Sequence, residues 1–210
     1  MLYFLAIGVA GYAVVSYGFS PLGSWVHPDM KAVFKSHPIG IYTHIFASIV
    51  ALLLGPLQFA RSLRQKYSAL HRWSGRIYLL LGVLVGGAAG LYMAQFAYGG
   101  LVSRAGFALL ALAWLTTGLM AYLTIRRRDI LGHRRWMIRN YALTFAAVTL
   151  RIYLGLFFAA GVKFEDFYPL VAWLCWAPNL LLAEWLLIPS ARRLTDDDEH
   201  HGVMQIGRLG

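Results

Sequence analysis

Six apolar runs, separated by short polar or charged segments, occupy most of the chain. They lie at residues 2–20, 39–60, 69–97, 105–125, 135–160 and 168–189. Because an α-helix rises about 1.5 Å per residue, a run of about 20 apolar residues crosses the roughly 30 Å hydrocarbon layer of a bilayer. The pattern predicts an all-α, polytopic integral membrane protein. Its six transmembrane helices, spans 1 to 6, are expected to surround a four-helix core made of spans 2–5.

The segments outside the apolar runs define the domain organisation. Residues 1–190 are predicted to form a single transmembrane bundle, and the polar residues 191–210 a disordered cytoplasmic tail. The connection 20–38 is the longest between spans, and a short interfacial helix is expected in it. Span 1 has no basic segment before it and no small-residue cleavage site, so we expect a retained helix and not a signal peptide.

Composition supports the membrane interpretation. Hydrophobic residues make up 59% of the 210 residues and the mean hydropathy is +0.59, well above the values of soluble domains. The single cysteine, Cys175, excludes a disulfide framework and a cysteine-based metal site. No phosphate-binding glycine loop, HExxH motif, GxSxG elbow or acidic cluster suited to a dinuclear metal site is present, so hydrolysis is not indicated.

The basic residues are concentrated on one side of the predicted bundle. Face A carries the connections between spans 2 and 3 and between spans 4 and 5, and face B is the opposite side. Face A has Arg61, Arg64, Lys66, Arg72, Arg76, Arg126, Arg127, Arg128, Arg134, Arg135 and Arg139, whereas face B has only Lys31, Lys35, Arg104 and Lys163. Because cytoplasmic loops are rich in Lys and Arg, this asymmetry predicts a multi-pass inner-membrane protein with cytoplasmic N and C termini. The net charge of +10 then indicates contact with lipid and not with nucleic acid.

Two histidines open spans on face A. His71 begins span 3 and His133 begins span 5, so they are expected at similar depth. One interpretation is a haem b whose iron is held by both imidazoles, with Gly75 giving the porphyrin a shallow helical face and Arg76 and Arg139 neutralising its propionates. The alternative is that these histidines belong to an interfacial belt of Trp, Tyr and Arg, and that the small residues of span 3 form a close-packed helix seam.

A second group of polar residues is predicted deep in the membrane toward face B. Arg151 lies about 27 Å along span 5 from His133 by helical rise, and His44 and Met93 are expected at similar depth. Since a buried arginine in a membrane usually faces the bundle interior or water, these three residues are predicted to form a substrate pocket. The alternative is a structural Arg151 that pairs with backbone carbonyls or with Glu165 or Asp166. A further alternative is that His44 and Met93 are the axial ligands of a haem.

Span 6 contains two features of its own. Glu184 is expected at a depth that Arg139 of span 5 can reach, which predicts a structural ion pair between them in preference to proton transfer. Pro178, next to Asn179, is expected to kink the helix.

The stretch Tyr67-Ser68-Ala69-Leu70-His71-Arg72-Trp73-Ser74-Gly75 resembles the Tyr-Ser-x-Leu-His-x-Trp-x-Gly pattern of b561-type cytochromes. In that family the histidine ligates haem, and four histidines on four consecutive helices hold two haems. His44, His71 and His133 match three of these positions in kind, but span 4 has no histidine. The resemblance therefore implies at most one bis-histidine haem.

A more extensive resemblance covers nearly the whole chain. The segments LLLGPLQF, LHRWSGRIYLL, GLYMA, HRRWMIRNYALTFAAVTLRIYL and AWLCWAPNLLLAEW are similar to a family of bacterial membrane proteins defined as domain of unknown function 2306. The resemblance implies a membrane bundle and no particular activity.

Two hypotheses for function follow. The first is a membrane redox protein, an oxidoreductase if it is an enzyme, that binds haem b and exchanges electrons with a quinol or a partner subunit. The second is a haem-free transporter or an accessory subunit of a membrane complex. The expected partners are the lipid bilayer and a quinone or membrane redox partner, and an oligomer is compatible with the sequence.

Overall fold

The structure is a computed structural model that describes residues 2–188. The predicted tail, 191–210, lies outside the described residues. The helices are α1 (Leu2–Val14), α2 (Pro28–Ser36), α3 (Pro38–Phe59), α4 (Arg61–Lys66), α5 (Ser68–Ile77), α6 (Gly86–Ala94), α7 (Gly100–Arg126), α8 (Ile130–Thr144), α9 (Ala146–Ala159), α10 (Phe164–Leu174) and α11 (Ala177–Leu182). Three π-helical segments, Val15–Phe19, Tyr78–Val85 and Ala183–Leu187, continue or join these helices.

The predicted all-helical membrane architecture is confirmed. Within residues 2–188, five helical segments are long and apolar enough to cross a membrane, namely Pro38–Phe59, Ser68–Ala94, Gly100–Arg126, Ile130–Ala159 and Phe164–Leu186. These are spans 2 to 6. Span 1, Tyr3–Phe19, is apolar but shorter. The short helix expected in the 20–38 connection is α2, whose first turn contains Pro28.

Spans 2–5 pack in a ring in which each span contacts the next and span 5 contacts span 2. Span 1 packs on spans 2 and 5, and span 6 on spans 4 and 5. The contact between spans 2 and 3 is a seam of small residues. A Cβ atom added at Gly82 would lie 2.8 Å from Cβ of Ala51, and one at Gly86 would lie 3.3 Å from Cβ of Ala47. The helices approach this closely because neither glycine has a side chain.

A fully buried polar network joins spans 3, 4 and 5. Tyr78 donates to Oδ1 of Asn140 at 2.6 Å, and Asn140 donates to the carbonyl of Trp114 and to Oγ1 of Thr117, both at 2.8 Å. The indole of Trp114 donates to Oγ1 of Thr144 at 2.8 Å. Since Asn140 is 0% exposed and both ends of its amide are bonded, the network stabilises one arrangement of the three helices.

Span 6 is interrupted next to Pro178, the residue at which the sequence predicted a kink. α10 ends at Leu174 and α11 begins at Ala177, with Pro178 in the first turn of the new helix. Asn179 donates to the carbonyl of Cys175 at 3.0 Å and to Oγ1 of Thr149 at 3.0 Å. The amide therefore bonds a carbonyl at the break and connects span 6 to span 5.

Candidate functional site

A cavity of about 560 Å³ lies toward face B and is lined by residues from all six spans, α2 and the loop before α2. Its wall is mainly aliphatic and aromatic. The three residues that the sequence assigned to a substrate pocket, His44, Met93 and Arg151, all line this cavity. We call it the face B cavity. Its volume falls within the range of pockets that hold a drug-sized ligand, about 300–1,000 Å³.

Arg151 is a buried cation on the wall of the face B cavity. Its Nη1 donates to the carbonyl of Ala147 at 2.7 Å, and its guanidinium carbon lies 5.7 Å from the ring centre of Tyr12. Its Nε is buried and has no hydrogen-bond partner.

The structure contains one half of the structural alternative for Arg151, since Arg151 bonds to a backbone carbonyl, but the expected pairing with Glu165 or Asp166 is not present. Among the side chains that the structure describes, no carboxylate forms an ion pair with Arg151. Glu165 instead lies 3.8 Å from Nε2 of His27. Because a buried cation without a counter-ion is costly, Arg151 is suited to an electron-rich group of a ligand.

His44 presents a defined nitrogen for a ligand. Its Nδ1 lies 2.9 Å from the carbonyl oxygen of Gly86, which can only accept, so Nδ1 carries the proton in the neutral ring. Nε2 is then the lone-pair nitrogen, able to accept a proton or bind a metal. His44 and Arg151 are close enough to interact electrostatically. The hydroxyl of Ser48, which also lines the cavity, is buried without a hydrogen-bond partner.

The structure brings His71 and His133 near each other at face A, where their side chains interact electrostatically. Nδ1 of His133 lies 2.8 Å from the carbonyl of Ala121, so by the same reasoning its Nε2 has the lone pair. Nδ1 of His71 is buried without a hydrogen-bond partner. In metalloproteins, a hydrogen bond such as the one between Nδ1 of His133 and the carbonyl of Ala121 orients the histidine that binds the metal.

Gly75 does not lie beside an open space, in contrast to the expectation of a shallow porphyrin face. A Cβ atom at Gly75 would lie 3.0 Å from Oε1 of Gln58 in span 2. Gln58 in turn donates to Oγ of the neighbouring Ser74 at 2.9 Å. Together with Gly82 and Gly86, this contact favours the interpretation of the small residues as a helix seam.

The two arginines predicted to bind propionates have other contacts. Nη2 of Arg139 donates to Oε2 of Glu184 at 2.8 Å, so the pair predicted between spans 5 and 6 lies within hydrogen-bond distance. The guanidinium of Arg139 also lies 4.6 Å from the ring centre of Trp136. Arg76 is exposed and stacks over Trp73 at 4.8 Å. The charge of Arg139 is therefore already balanced.

Sequence reasoning missed several polar residues of the site. Trp114 and Thr144 of the buried network also line the face B cavity, and so does Ser48. The available signal was an asparagine, Asn140, inside an apolar run, because an intramembrane amide needs partners on neighbouring helices. The described residues contain no group of three or more His, Cys, Asp or Glu side chains that could hold a metal ion. That finding does not bear on a haem, which needs only two histidines.

Comparisons with known proteins give a family and no characterised relative. No curated protein and no solved structure matches the chain. A family model described as "Predicted membrane protein (DUF2306)" matches residues 41–187, which includes the face B cavity residues of spans 2–6 and both face A histidines. Since this match covers more than half of the 210 residues, the chain belongs to the DUF2306 family of predicted membrane proteins.

Proposed function

We propose that the protein is a membrane redox protein that binds a quinone or quinol in the face B cavity. The observation that supports this most directly is the presence of Arg151 and His44 in one apolar cavity. Arg151 offers an N–H donor that has no partner among the described residues, and His44 offers a nitrogen with a free lone pair. The aliphatic and aromatic wall suits an isoprenoid tail, and the polar pair suits a headgroup that both accepts and donates hydrogen bonds.

The two states of such a headgroup match the two side chains. A quinone oxygen accepts a hydrogen bond from Nε of Arg151. A quinol hydroxyl would donate to Nε2 of His44, which would take one of the two protons released when a quinol loses two electrons, and the second proton would leave to water on face B. The buried Ser48 hydroxyl is a further donor. The electrons would pass to a haem or to a partner subunit.

A second proposal concerns haem b at face A. It is supported by the proximity of His71 and His133 and by the bond from His133 to Ala121, which leaves Nε2 for iron. Haem held there would supply one-electron chemistry near the cytoplasmic rim. Against this, span 2 occupies the face beside Gly75, and Glu184 already pairs with Arg139. The two histidines are therefore suited to binding a haem, whereas the residues around them are not.

The competing hypothesis is a haem-free transporter or accessory subunit. The break in span 6 between Leu174 and Ala177 favours it, because interrupted helices often line substrate sites in transporters. Under this hypothesis Arg151 would bind an anionic cargo in place of a quinone.

A titration of tryptophan fluorescence with a short-chain quinone separates these proposals. Trp25 and Trp114 line the face B cavity, so a bound quinone is expected to quench saturably. Only linear, non-saturating quenching would contradict quinone binding. A reduced-minus-oxidised spectrum of the same preparation tests haem separately. An α-band that disappears in His71→Ala and His133→Ala is expected, and a colourless folded protein from haem-replete cells would contradict it.

We further propose that the protein lies in the bacterial inner membrane with face A in the cytoplasm. The support is the arginine asymmetry, since exposed Arg126, Arg127 and Arg128 connect spans 4 and 5, whereas Lys163 is the one basic residue between spans 5 and 6.

A further inference from the structure

On face A, where α4 joins spans 2 and 3 and where span 5 begins, Arg64 interacts electrostatically with Arg61 and Arg134, and His71 with Arg64, Arg72 and His133. We call this group the rim cluster, and its members are Arg61, Arg64, His71, Arg72, His133 and Arg134. It lies on the opposite side of the membrane from the face B cavity and is independent of the quinone proposal, but it shares His71 and His133 with the haem proposal.

The charges of the rim cluster oppose one another. Partial burial, followed by the neighbouring Arg134 and Arg61, lowers the pKa of Arg64. His71 in turn lies near Arg64, Arg72 and His133. Like charges on neighbouring side chains repel one another, and an anion between them relieves the repulsion.

The carboxylates of face A are engaged elsewhere, as far as residues 2–188 are concerned. Asp129 accepts from the backbone N–H of Gly132 at 2.7 Å and caps span 5. Glu184 is paired with Arg139. The rim cluster therefore has no protein counter-ion within the described part of the chain.

Several donors of the rim cluster are fixed in place. Arg64 is anchored by a bond from Nη1 to the carbonyl of Phe59 at 2.8 Å, which leaves its other N–H groups for a ligand. Span 3 begins at Ser68 with no side-chain cap at Tyr67, so its first N–H groups add partial positive charge. Nδ1 of His71 is buried without a partner. Tyr67 and Trp73, each 62% exposed, place this region at the depth of lipid headgroups.

We infer that the rim cluster is a binding site for a phosphate group, supplied by the headgroup of an anionic phospholipid. Arginine guanidinium groups bind phosphate oxygens through paired hydrogen bonds, and the N-terminal N–H groups of span 3 provide further donors. The site is local. It is distinct from the general attraction of a basic face for an acidic membrane.

The test is a titration of the purified full chain with phosphatidylglycerol in detergent, with phosphatidylcholine and inorganic phosphate as separate probes. The variant Arg64→Gln/Arg134→Gln removes two arginines of the cluster. Its matched control, Arg126→Gln/Arg127→Gln, removes two exposed arginines of the same face that lie outside the cluster. Because Arg64 also binds the end of span 2, Arg72→Gln/Arg134→Gln provides a second cluster variant that keeps that bond.

We expect each cluster variant to bind phosphatidylglycerol about 25-fold more weakly than the wild type, at about fivefold for each arginine lost. The control should remain within about twofold, since contacts outside a local site contribute little. Equal loss in the control and in both cluster variants would show diffuse attraction and overturn the proposal, and so would equal binding of phosphatidylcholine. Displacement of the lipid by millimolar inorganic phosphate would reassign the site to soluble phosphate.

Discussion

Arg151 is the residue whose surroundings say most about function. Among the described residues, it bonds to the carbonyl of Ala147, lies over the face of Tyr12 and interacts electrostatically with Tyr17. A cation kept in an apolar wall with so few partners stabilises nothing by itself. Burying this charge costs free energy, and a ligand in the face B cavity that bound Arg151 would offset that cost.

Asn140 provides a prediction at the residue scale. Replacing Asn140 by Ala removes the acceptor of Tyr78 and both donors to span 4, so we expect the free energy of unfolding to fall by about 1–2 kcal/mol. Thermal unfolding in detergent measures this. The control is Thr124→Ala, whose hydroxyl bonds only to carbonyls of its own helix. A loss no larger than that of the control would mean that the network does not hold the spans together.

How far the residues could be predicted depends on how local their constraints are. His44, Met93 and Arg151 were assigned to one depth by helical rise alone, and all three line the cavity. The hydrogen bonds of Arg151 could not be predicted in this way. These bonds depend on the rotation of span 5 about its axis and on whether Glu165 turns toward Arg151 or toward His27. The apolar sequence of span 5 determines neither of these, because it is equally compatible with contact to lipid and to protein.

At the scale of elements, the glycines of span 3 determine how closely the helices pack. Gly82 and Gly86 bring the backbone of span 3 against Ala51 and Ala47. The sequence left two interpretations of these residues open, a porphyrin face and a seam, because both need small side chains at helical spacing. The partner helix distinguishes them, and it becomes known only from the tertiary contacts.

The seam predicts a contrast between two glycine substitutions. Gly82→Ala puts a methyl group 2.8 Å from Cβ of Ala51, so spans 2 and 3 must separate, and we expect a loss of about 1–3 kcal/mol in unfolding free energy. Gly155→Ala is the matched control, because a Cβ atom there would meet nothing within 4 Å. It should be neutral or slightly stabilising, since alanine favours helix more than glycine does. Denaturant titration of both variants measures the contrast, and equal stabilities would argue against the seam.

At the scale of the whole molecule, hydropathy predicted the five long spans and the shorter apolar helix Tyr3–Phe19, whereas it did not predict the cavity. Spans are set by the length of apolar runs, which is a one-dimensional property. The face B cavity needs six spans and α2 together, and no segment alone contains a signal for it.

The proposed orientation makes a prediction about labelling in intact cells. Lys163→Cys on face B should react with a membrane-impermeant maleimide from outside, and Arg127→Cys on face A only after permeabilisation. Both positions are exposed, and the native Cys175 is 1% exposed, so the wild type should give a low background. The opposite labelling pattern would place face A outside and remove the basis for the assigned topology.

The central claim is that Arg151 and His44 bind one quinone headgroup, and the dissociation constants of a short-chain quinone for a set of variants test it most directly. The set is the wild type, Arg151→Gln, His44→Ala and the control Arg104→Gln, which alters an exposed arginine of face B outside the cavity. We predict about 10- to 100-fold weaker binding for Arg151→Gln, the cost of losing a hydrogen bond to a charged group. His44→Ala should also weaken binding, and Arg104→Gln should leave it unchanged. Equal affinity in all four proteins would contradict the claim.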